Sequence, residues 1–417
     1  MNIIRRVTAR GKPFFSVVMP TRDRSHLLRL SLQSVLDQTC RDFEVVVSDN
    51  STRGETASWV ATLTDSRLRY VRTPRPLPMP DSWEFALSHA SGEYVIVLCD
   101  DDAWCPSLLK RARAVIDQTS ADLINIPHAR YRHATWYDSS ERNTVYVPWF
   151  DGRIITREPT QGLRNLFAFR EKDHTPKLLN SFVRASLLDN TRGRAGRLFV
   201  GSCPDYSIAG LVLSQFPKWV ALNIPLLIGG VAKESIGAAI RYSAAGPAQQ
   251  FLREFDVPVR LPLGLPVTVT AAIAETLLAI KQRIPAELQG WEIDWVSCLW
   301  GCWMDLLAHE AGSAMIRPTQ TTLRRIVQSR FSRLARVLLP RLGVTDLAIR
   351  AASYLGPYRP RLHNLTAHWR RLRAARDMVF GPWRRHRGWH GGVFVRGDRA
   401  GFTNILECAA FVDRLFS

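Results

Sequence analysis

Along the first 130 residues, short apolar runs alternate with stretches whose apolar positions recur every three or four residues. Residues 14–19 are an apolar run that stops at Pro20. Ser25 is placed to cap a helix whose stripe of Leu28, Leu32, Val35 and Leu36 follows i, i+4, i+7, i+8 spacing. A second β-branched run, 43–47, ends at Ser48-Asp49-Asn50-Ser51. The pattern then predicts a helix over 56–63, a strand over 68–71 and a proline-rich loop over 74–80. A helix capped by Asp81 or Ser82 runs through Ala90, Gly92 ends it, and a strand follows over 94–99. A helix over 106–118 and a strand over 123–126 complete the series. Strands separated by helices of roughly 10–15 residues imply a parallel, layered α/β sheet.

The pattern changes after residue 128. Residues 128–157 are aromatic and β-leaning, and read as hairpins over the sheet edge. Helices are expected over 160–169, capped by Thr160, and over 204–215, opening with Asp205. Helical stripes dominate beyond about residue 235, at 267–283, 291–309, 319–338, 362–378 and 402–415. Gly-Pro pairs at 356–357 and 381–382 divide the last third. Two regions are therefore expected: an α/β domain over 1–240 and a mainly helical region over 241–417.

Composition narrows the class. The 417 residues are 46% hydrophobic with no low-complexity tract, as in a globular protein. Seven cysteines without a CxxC pair suggest reduced thiols, and Cys298 and Cys302 have the spacing of one helix face. The ten histidines show no zinc-ligand spacing. The opening residues have no signal-peptide core, and no apolar stretch reaches the ~18–20 residues of a spanning helix. A cytoplasmic protein, peripheral on the inner face of the cell membrane, is expected. The net charge of +19 is concentrated: residues 317–417 hold 20 Arg, no Lys and 5 acidic residues. That asymmetry suggests an anionic partner, whether membrane headgroups, a phosphorylated lipid, a polyanion or nucleic acid. Trp291, Trp295, Trp369, Trp383 and Trp389 are candidates to seat amphipathic helices at a membrane interface.

The candidate chemistry centres on Asp100-Asp101-Asp102, delivered by the apolar strand before them. Ligands bind at the C-terminal ends of strands in open α/β sheets. Three crowded carboxylates repel one another, and hard ions such as Mg²⁺ or Mn²⁺ take such oxygens while sharing substrate phosphates. In extended chain, Asp100 and Asp102 would converge while Asp101 points away or reaches a second ligand. The plainer alternative is a solvated acidic turn capping the next helix.

Two blocks carry a resemblance. FSVVMPTRDRSHLLRLSLQSVLDQTCRDFEVVVSDNST (15–52) and SWEFALSHASGEYVIVLCDDD (82–102) resemble the family 2 glycosyltransferases of GT-A fold. Their usual pattern is P-T-x-N-R, S-V-L-x-Q-T, D-F-E and a later N-W-E block leading to DxD. The likeness weakens after residue 130 and ends near 245. It implies a GT-A, Rossmann-like sheet with helices on both faces, and an inverting, metal-dependent transfer from a UDP- or dTDP-linked sugar.

The resemblance also assigns residues. Asp49 would contact the nucleobase or ribose, although Asp49-Asn50-Ser51 also reads as an Asx turn. Pro20 and Thr21 would lie beside the base. Asp23 stands where Asn is usual, and Ser82 replaces the usual Asn. Asp100 would touch the ribose or share the metal, while Asp101 or Asp102 coordinates Mn²⁺ or Mg²⁺. The base that deprotonates the acceptor hydroxyl maps to Asp205, with Pro204 in place of the usual first acid. Residues 180–184 resemble the strand leading to that loop. Lys233 occupies a region that often carries a cation near the diphosphate, or is simply a loop lysine. The implied partners are a nucleotide-sugar donor, a glycan or lipid-linked acceptor and an anionic membrane surface. A homo-oligomer is left open, and nucleic acid is not expected. The charge alone would suit a nucleic-acid or polyanion binder, which leaves the Asp triplet unexplained. A glycosidase would need two carboxylates set across the sugar.

Overall fold

The computed structural model describes residues 11–170, 174–235, 268–307 and 392–416. Thirteen strands are present among them. In chain order they are β1 (Phe15–Thr21), β2 (Phe43–Asp49), β3 (Leu68–Arg72), β4 (Tyr94–Val97), β5 (Ala103–Trp104) and β6 (Leu123–Asn125). They continue with β7 (His128–Arg132), β8 (Thr144–Pro148), β9 (Ile154–Arg157), β10 (Ser181–Arg184), β11 (Trp219–Leu222), β12 (Leu227–Val231) and β13 (Gly392–Arg396). The main sheet has eight strands in the order β3-β2-β1-β4-β10-β6-β11-β9. A second, five-stranded sheet has the order β13-β8-β7-β12-β5.

The first four strands are parallel, as expected. The sheet as a whole is mixed. β10 runs antiparallel to both β4 and β6, and β9 runs antiparallel to β11. The reason lies in how β10 is entered. The loop before it sits where β4 ends, with the Leu178 carbonyl accepting from Val97 N–H at 2.9 Å. A strand that starts at that rim must run back against its neighbour. The apolar stretch 219–231 forms two strands, β11 and β12, parted at Pro225.

Helices cover both faces. They are α1 (Ser25–Leu36), α2 (Glu55–Val60), α3 (Met79–Leu87), α4 (Leu108–Thr119), α5 (Pro159–Phe167), α6 (Ala185–Ala195) and α7 (Pro204–Leu213). After them come α8 (Val269–Arg283), α9 (Trp295–Leu307), α10 (Gly397–Ala400) and α11 (Ile405–Arg414). Proline, rather than a capping side chain, opens three of these. Pro80, Pro159 and Pro204 lie in the first turns of α3, α5 and α7, where a missing N–H costs nothing. The caps expected from Ser25, Asp81 or Ser82, and Thr160 are not formed, since each residue lies inside its helix.

Alternation along β1 divides the core. Val17 and Met19 join Leu28, Leu32 and Val35 of α1, Leu108 and Ile116 of α4, and Val412 of α11. Val18 faces the other way, into a cluster with Trp83 of α3, Leu211 of α7, Ile273 and Leu277 of α8, and Cys298 and Cys302 of α9. Strands buried on both faces read as unbroken apolar runs, which is why β1, β2 and β4 are legible in the sequence. Burying each such side chain contributes roughly 1.5–3 kcal/mol.

Three of the expected C-terminal helices are present as α8, α9 and α11. Those at 319–338 and 362–378, with Trp369, Trp383 and Trp389, lie outside the described residues. The described segments beyond residue 240 are built onto the α/β unit. β13 pairs with β8, Asn143 Nδ2 donates to the Phe402 carbonyl at 2.9 Å, and Arg111 Nη2 donates to the Phe416 carbonyl at 2.9 Å. No helix among the described residues is long and apolar enough to cross a membrane.

Candidate active site

The ends of β2, β1 and β4 bring the first candidates together. Thr21 and Asp49 are register partners in the β1–β2 pairing. Thr21 Oγ1 donates to Asp100 Oδ2 at 2.7 Å, which joins the β1 end to the acidic turn after β4. Pro20, beside Thr21, is opposite Ser48 in the same ladder.

Asp49 is fully buried. Its Oδ1 accepts from Ser51 N–H at 2.9 Å, the Asx turn that the sequence suggests, and its Oδ2 accepts from the Tyr70 hydroxyl at 2.6 Å. Burial, then the Asp49 carboxylate, push the Tyr70 phenol upward, so it stays a donor. Asn50 accepts from Leu77 N–H at 2.8 Å and from Thr73 Oγ1 at 2.9 Å, fixing the proline-rich loop beside Asp49. Asp23 has φ +54°, a left-handed conformation that Asp and Asn tolerate better than most residues. Its carboxylate accepts from Thr52 N–H and Thr52 Oγ1, each at 3.0 Å, so it ties two rim loops together. Ser82 is buried on α3.

The acidic turn departs from the expected alternation. β4 ends at Val97, and the Asp102 N–H donates back to the Cys99 carbonyl at 3.2 Å. With the chain turning, two-residue periodicity no longer applies. Asp100 turns inward, its Oδ1 2.9 Å from Arg24 Nη2. It is Asp101 and Asp102 that converge, and Cys99 joins them: one ligand atom from each of the three lies within 4.8 Å of the others. Asp101 Oδ2 also accepts from Ser235 Oγ and lies 3.8 Å from Arg24 Nη1. Its carbonyl accepts from His133 Nε2 at 2.9 Å, which assigns the ring proton to that nitrogen. Gly230 N–H donates to Asp102 Oδ1 at 2.8 Å. Gly230 has no room for a side chain, since a Cβ there would sit 1.6 Å from the Asp101 carbonyl oxygen.

This cluster carries surplus negative charge in a place where charge is expensive. Burial pushes Asp100 up to about 6, with Asp101 adding and Arg24 and Thr21 opposing. Burial and then Asp101 push Asp102 well above the ordinary carboxylate range. The Cys99 thiol is raised by burial and then by Asp102, Asp101 and Asp100. Arg24 is held protonated by Asp100 and Asp101 against the opposing effect of its own burial. One guanidinium facing three carboxylates leaves room for a further cation, and carboxylate oxygens suit Mg²⁺ or Mn²⁺. A thiol donor shifts the preference toward softer ions than Mg²⁺.

Asp205 lies in the first turn of α7. The loop leading to it is held along its backbone. Glu84 of α3 accepts from Leu198 N–H and, at 2.8 Å, from Phe199 N–H. Glu275 of α8 accepts from Ser202 N–H and Ser202 Oγ, each at 2.8 Å, and Thr276 Oγ1 accepts from Cys203 N–H at 3.0 Å. Gly201 has φ +70°, and a Cβ there would meet Thr276 Oγ1 at 2.5 Å, so glycine is required twice over. Lys177 Nζ lies 3.4 Å from Asp205 Oδ2. Lys233 is exposed, its N–H donating to Thr135 Oγ1 at 3.4 Å.

A family model for glycosyl transferase family 2 matches residues 16–186. Over that segment the chain is similar to family 2 glycosyltransferases. RfbC, an O-antigen biosynthesis protein of Myxococcus xanthus, is 34% identical over 137 residues, which are 31% of this chain and 11% of that protein. The GalNAc(5)-diNAcBac-PP-undecaprenol beta-1,3-glucosyltransferase of Campylobacter jejuni is 36% identical over 93 residues, 22% of this chain and 30% of its own length. WfgD of Escherichia coli, a UDP-Glc:alpha-D-GlcNAc-diphosphoundecaprenol beta-1,3-glucosyltransferase, is 30% identical over 95 residues, 23% of this chain and 38% of that enzyme. The chain thus spans between 11% and 38% of the length of these curated relatives. A solved structure of S. aureus TarS with UDP-GlcNAc aligns over 82% of this chain and 92% of that one, at 15% identity and a TM-score of 0.44.

The matched glycosyltransferase segment contains Pro20, Thr21, Asp49, the Asp triplet and Lys177, but not Asp205. Several residues that shape the site were not foreseen. Arg24 is the final residue of the P-T-x-N-R block and Cys99 directly precedes the triplet, so both sat within legible motifs. Ser235, Gly230 and Glu275 gave no local signal, because their partners are remote in sequence.

Proposed function

We propose that this protein transfers a sugar from a nucleoside-diphosphate sugar, UDP- or dTDP-linked, to a hydroxyl of a glycan or lipid-linked acceptor, with inversion. The observation that carries this reading is the convergence of Cys99, Asp101 and Asp102 at a sheet rim that Thr21 joins to Asp49. Asp49, Pro20 and Thr21 line the place for the nucleoside. Asp205 accepts the proton of the acceptor hydroxyl as that oxygen bonds to the anomeric carbon. The bond from that carbon to the diphosphate oxygen breaks with its electron pair, and the nucleoside diphosphate leaves. Asp101 and Asp102, with Cys99 and Asp100 beside them, are the residues that would hold Mn²⁺ or Mg²⁺. When bound, such an ion supplies positive charge to a departing diphosphate.

The reading extends to cell-surface polysaccharide or glycolipid synthesis, at the inner face of the membrane. It is supported by the names of two relatives, which act on diphosphoundecaprenol-linked sugars, and by the Arg-rich residues 317–417. Those arginines would meet anionic headgroups or the pyrophosphate of a lipid-linked acceptor.

A thermal-shift screen of UDP-glucose, UDP-galactose and dTDP-rhamnose, with and without Mn²⁺, tests the reading on wild type and Asp102→Ala. At least one donor should stabilise the wild type only when Mn²⁺ is present, and the variant should lose that response. Failure of every sugar nucleotide to bind in either Mn²⁺ or Mg²⁺ would reject the assignment.

A further inference from the structure

Lys177 has no part in the scheme above, yet its setting is built with care. It lies on the loop that enters β10, at the rim where β4 ends. Its N–H donates to Asn180 Oδ1 at 2.7 Å, and its carbonyl accepts from Asn180 N–H at 3.0 Å. Asn180 Nδ2 donates to the Thr175 carbonyl at 3.0 Å, closing the turn. The next residue, Leu178, is hydrogen-bonded to Val97 N–H, three positions before Asp100. The loop is thereby bolted to the strand that delivers the acidic turn.

The side chain is 19% exposed, unusual for a residue that mostly keeps its ammonium in water. Nζ lies 3.4 Å from Asp205 Oδ2 and 4.2 Å from the centre of the Tyr206 ring. A cation is held between a carboxylate and an aromatic face, each of which favours the charged form. Burial pulls the other way, and the net direction is upward, so the ammonium stays protonated. Fixing four rotatable bonds costs entropy that an ordinary surface ion pair seldom recovers. The backbone of the Asp205 loop is already fixed by Glu84, Glu275 and Thr276, so Lys177 is not needed to hold the loop closed.

We propose that Lys177 is a positioning residue for Asp205: its ammonium engages Oδ2 and turns Oδ1 toward the acceptor hydroxyl. This rests on the reading of Asp205 as the base. A neutral side chain at 177 leaves the carboxylate free to rotate. An arginine retains the charge and most of the reach.

The test measures Mn²⁺-dependent hydrolysis of UDP-glucose, UDP-galactose and dTDP-rhamnose by the full chain, with water standing in for the acceptor. Wild type, Lys177→Met, Lys177→Arg and Asp205→Asn are compared, and Lys177→Gln replaces the methionine variant should that one not fold. Lys177→Met should lower kcat by about 10- to 100-fold while donor KM changes by less than about threefold, and Lys177→Arg should recover most of kcat. Parallel changes in KM and melting temperature without rescue by arginine would mark a merely structural ion pair and overturn the proposal. So would a wild-type kcat in Lys177→Met beside an inactive Asp205→Asn, which leaves Asp205 as the base. An active Asp205→Asn removes the base assignment and this proposal with it. A wild type inactive on all three donors removes the transferase reading on which both stand.

Discussion

The two ends of the candidate site are held in opposite ways. At the acidic turn, the carboxylates themselves are engaged: Thr21 and Arg24 on Asp100, Ser235 and Arg24 on Asp101, Gly230 on Asp102. At the Asp205 loop, the backbone is engaged by Glu84, Glu275 and Thr276, and the carboxylate meets one lysine. The first arrangement concentrates buried negative charge that a cation would relieve. The second fixes the chain and engages one Asp205 oxygen, Oδ2, with the lysine. On the proposed function, the first would be the binding end and the second the reacting end, told apart by which atoms the fold consumes.

The sharpest division comes from removing one carboxylate at each end. Asp205→Asn should lower turnover by about 10³-fold or more while leaving the Mn²⁺-dependent thermal shift by a sugar nucleotide intact. Asp102→Ala should abolish both. Equal loss of donor binding in the two variants would erase the distinction.

Arg24→Met strikes only the binding end. It strands the buried Asp100 and Asp101 carboxylates, and loss of one partner of a buried ion pair costs about 3–5 kcal/mol. Urea melts should register that loss without divalent cation and recover part of it with Mn²⁺. A loss untouched by Mn²⁺ would mean that the surplus charge is not what destabilises the variant.

Glu275→Ala strikes only the reacting end, by releasing the Ser202 N–H and hydroxyl. It should cost about 1–3 kcal/mol of stability and lower kcat with donor affinity preserved. Weakened Mn²⁺ binding in this variant would show that the two ends are not independent.

The smallest expected effect is in pH. Asp100 is raised from 3.8 to about 6, so the folded state prefers its protonated form. Its contribution to cation-free stability therefore declines as pH rises from about 4 through 6, because the folded chain must then hold a buried charge. Asp100→Asn should flatten that part of the melting-temperature profile. Cation binding runs the other way and should weaken as pH falls through about 6, where protons compete for the cluster. A profile identical in wild type and Asp100→Asn would remove Asp100 from both effects.

The same division separates what the sequence makes legible from what it hides. β1, β2 and β4 are buried on both faces, so their apolar runs announce them, and the motifs at their ends single out Asp49 and the Asp triplet as the candidates carried into the proposed function. The direction of β10 was not legible, because four residues carry no mark of which rim the chain enters from. The convergence of Asp100 with Asp102 was expected from strand periodicity, and it fails because β4 stops at Val97. Arg24, Ser235 and Gly230 reach the acidic turn from distant segments, so their roles follow from topology. Glu275 is a plain helical glutamate until α8 is seen packed against the Asp205 loop.

On this account the rim of carboxylates after β4 binds a divalent cation together with a nucleoside diphosphate. Calorimetric titration of Mn²⁺ into the full chain in the presence of UDP decides the matter. Saturable binding in wild type and Asp205→Asn, absent from Asp102→Ala, is the predicted result. Undiminished binding in Asp102→Ala, or none in wild type, would contradict it.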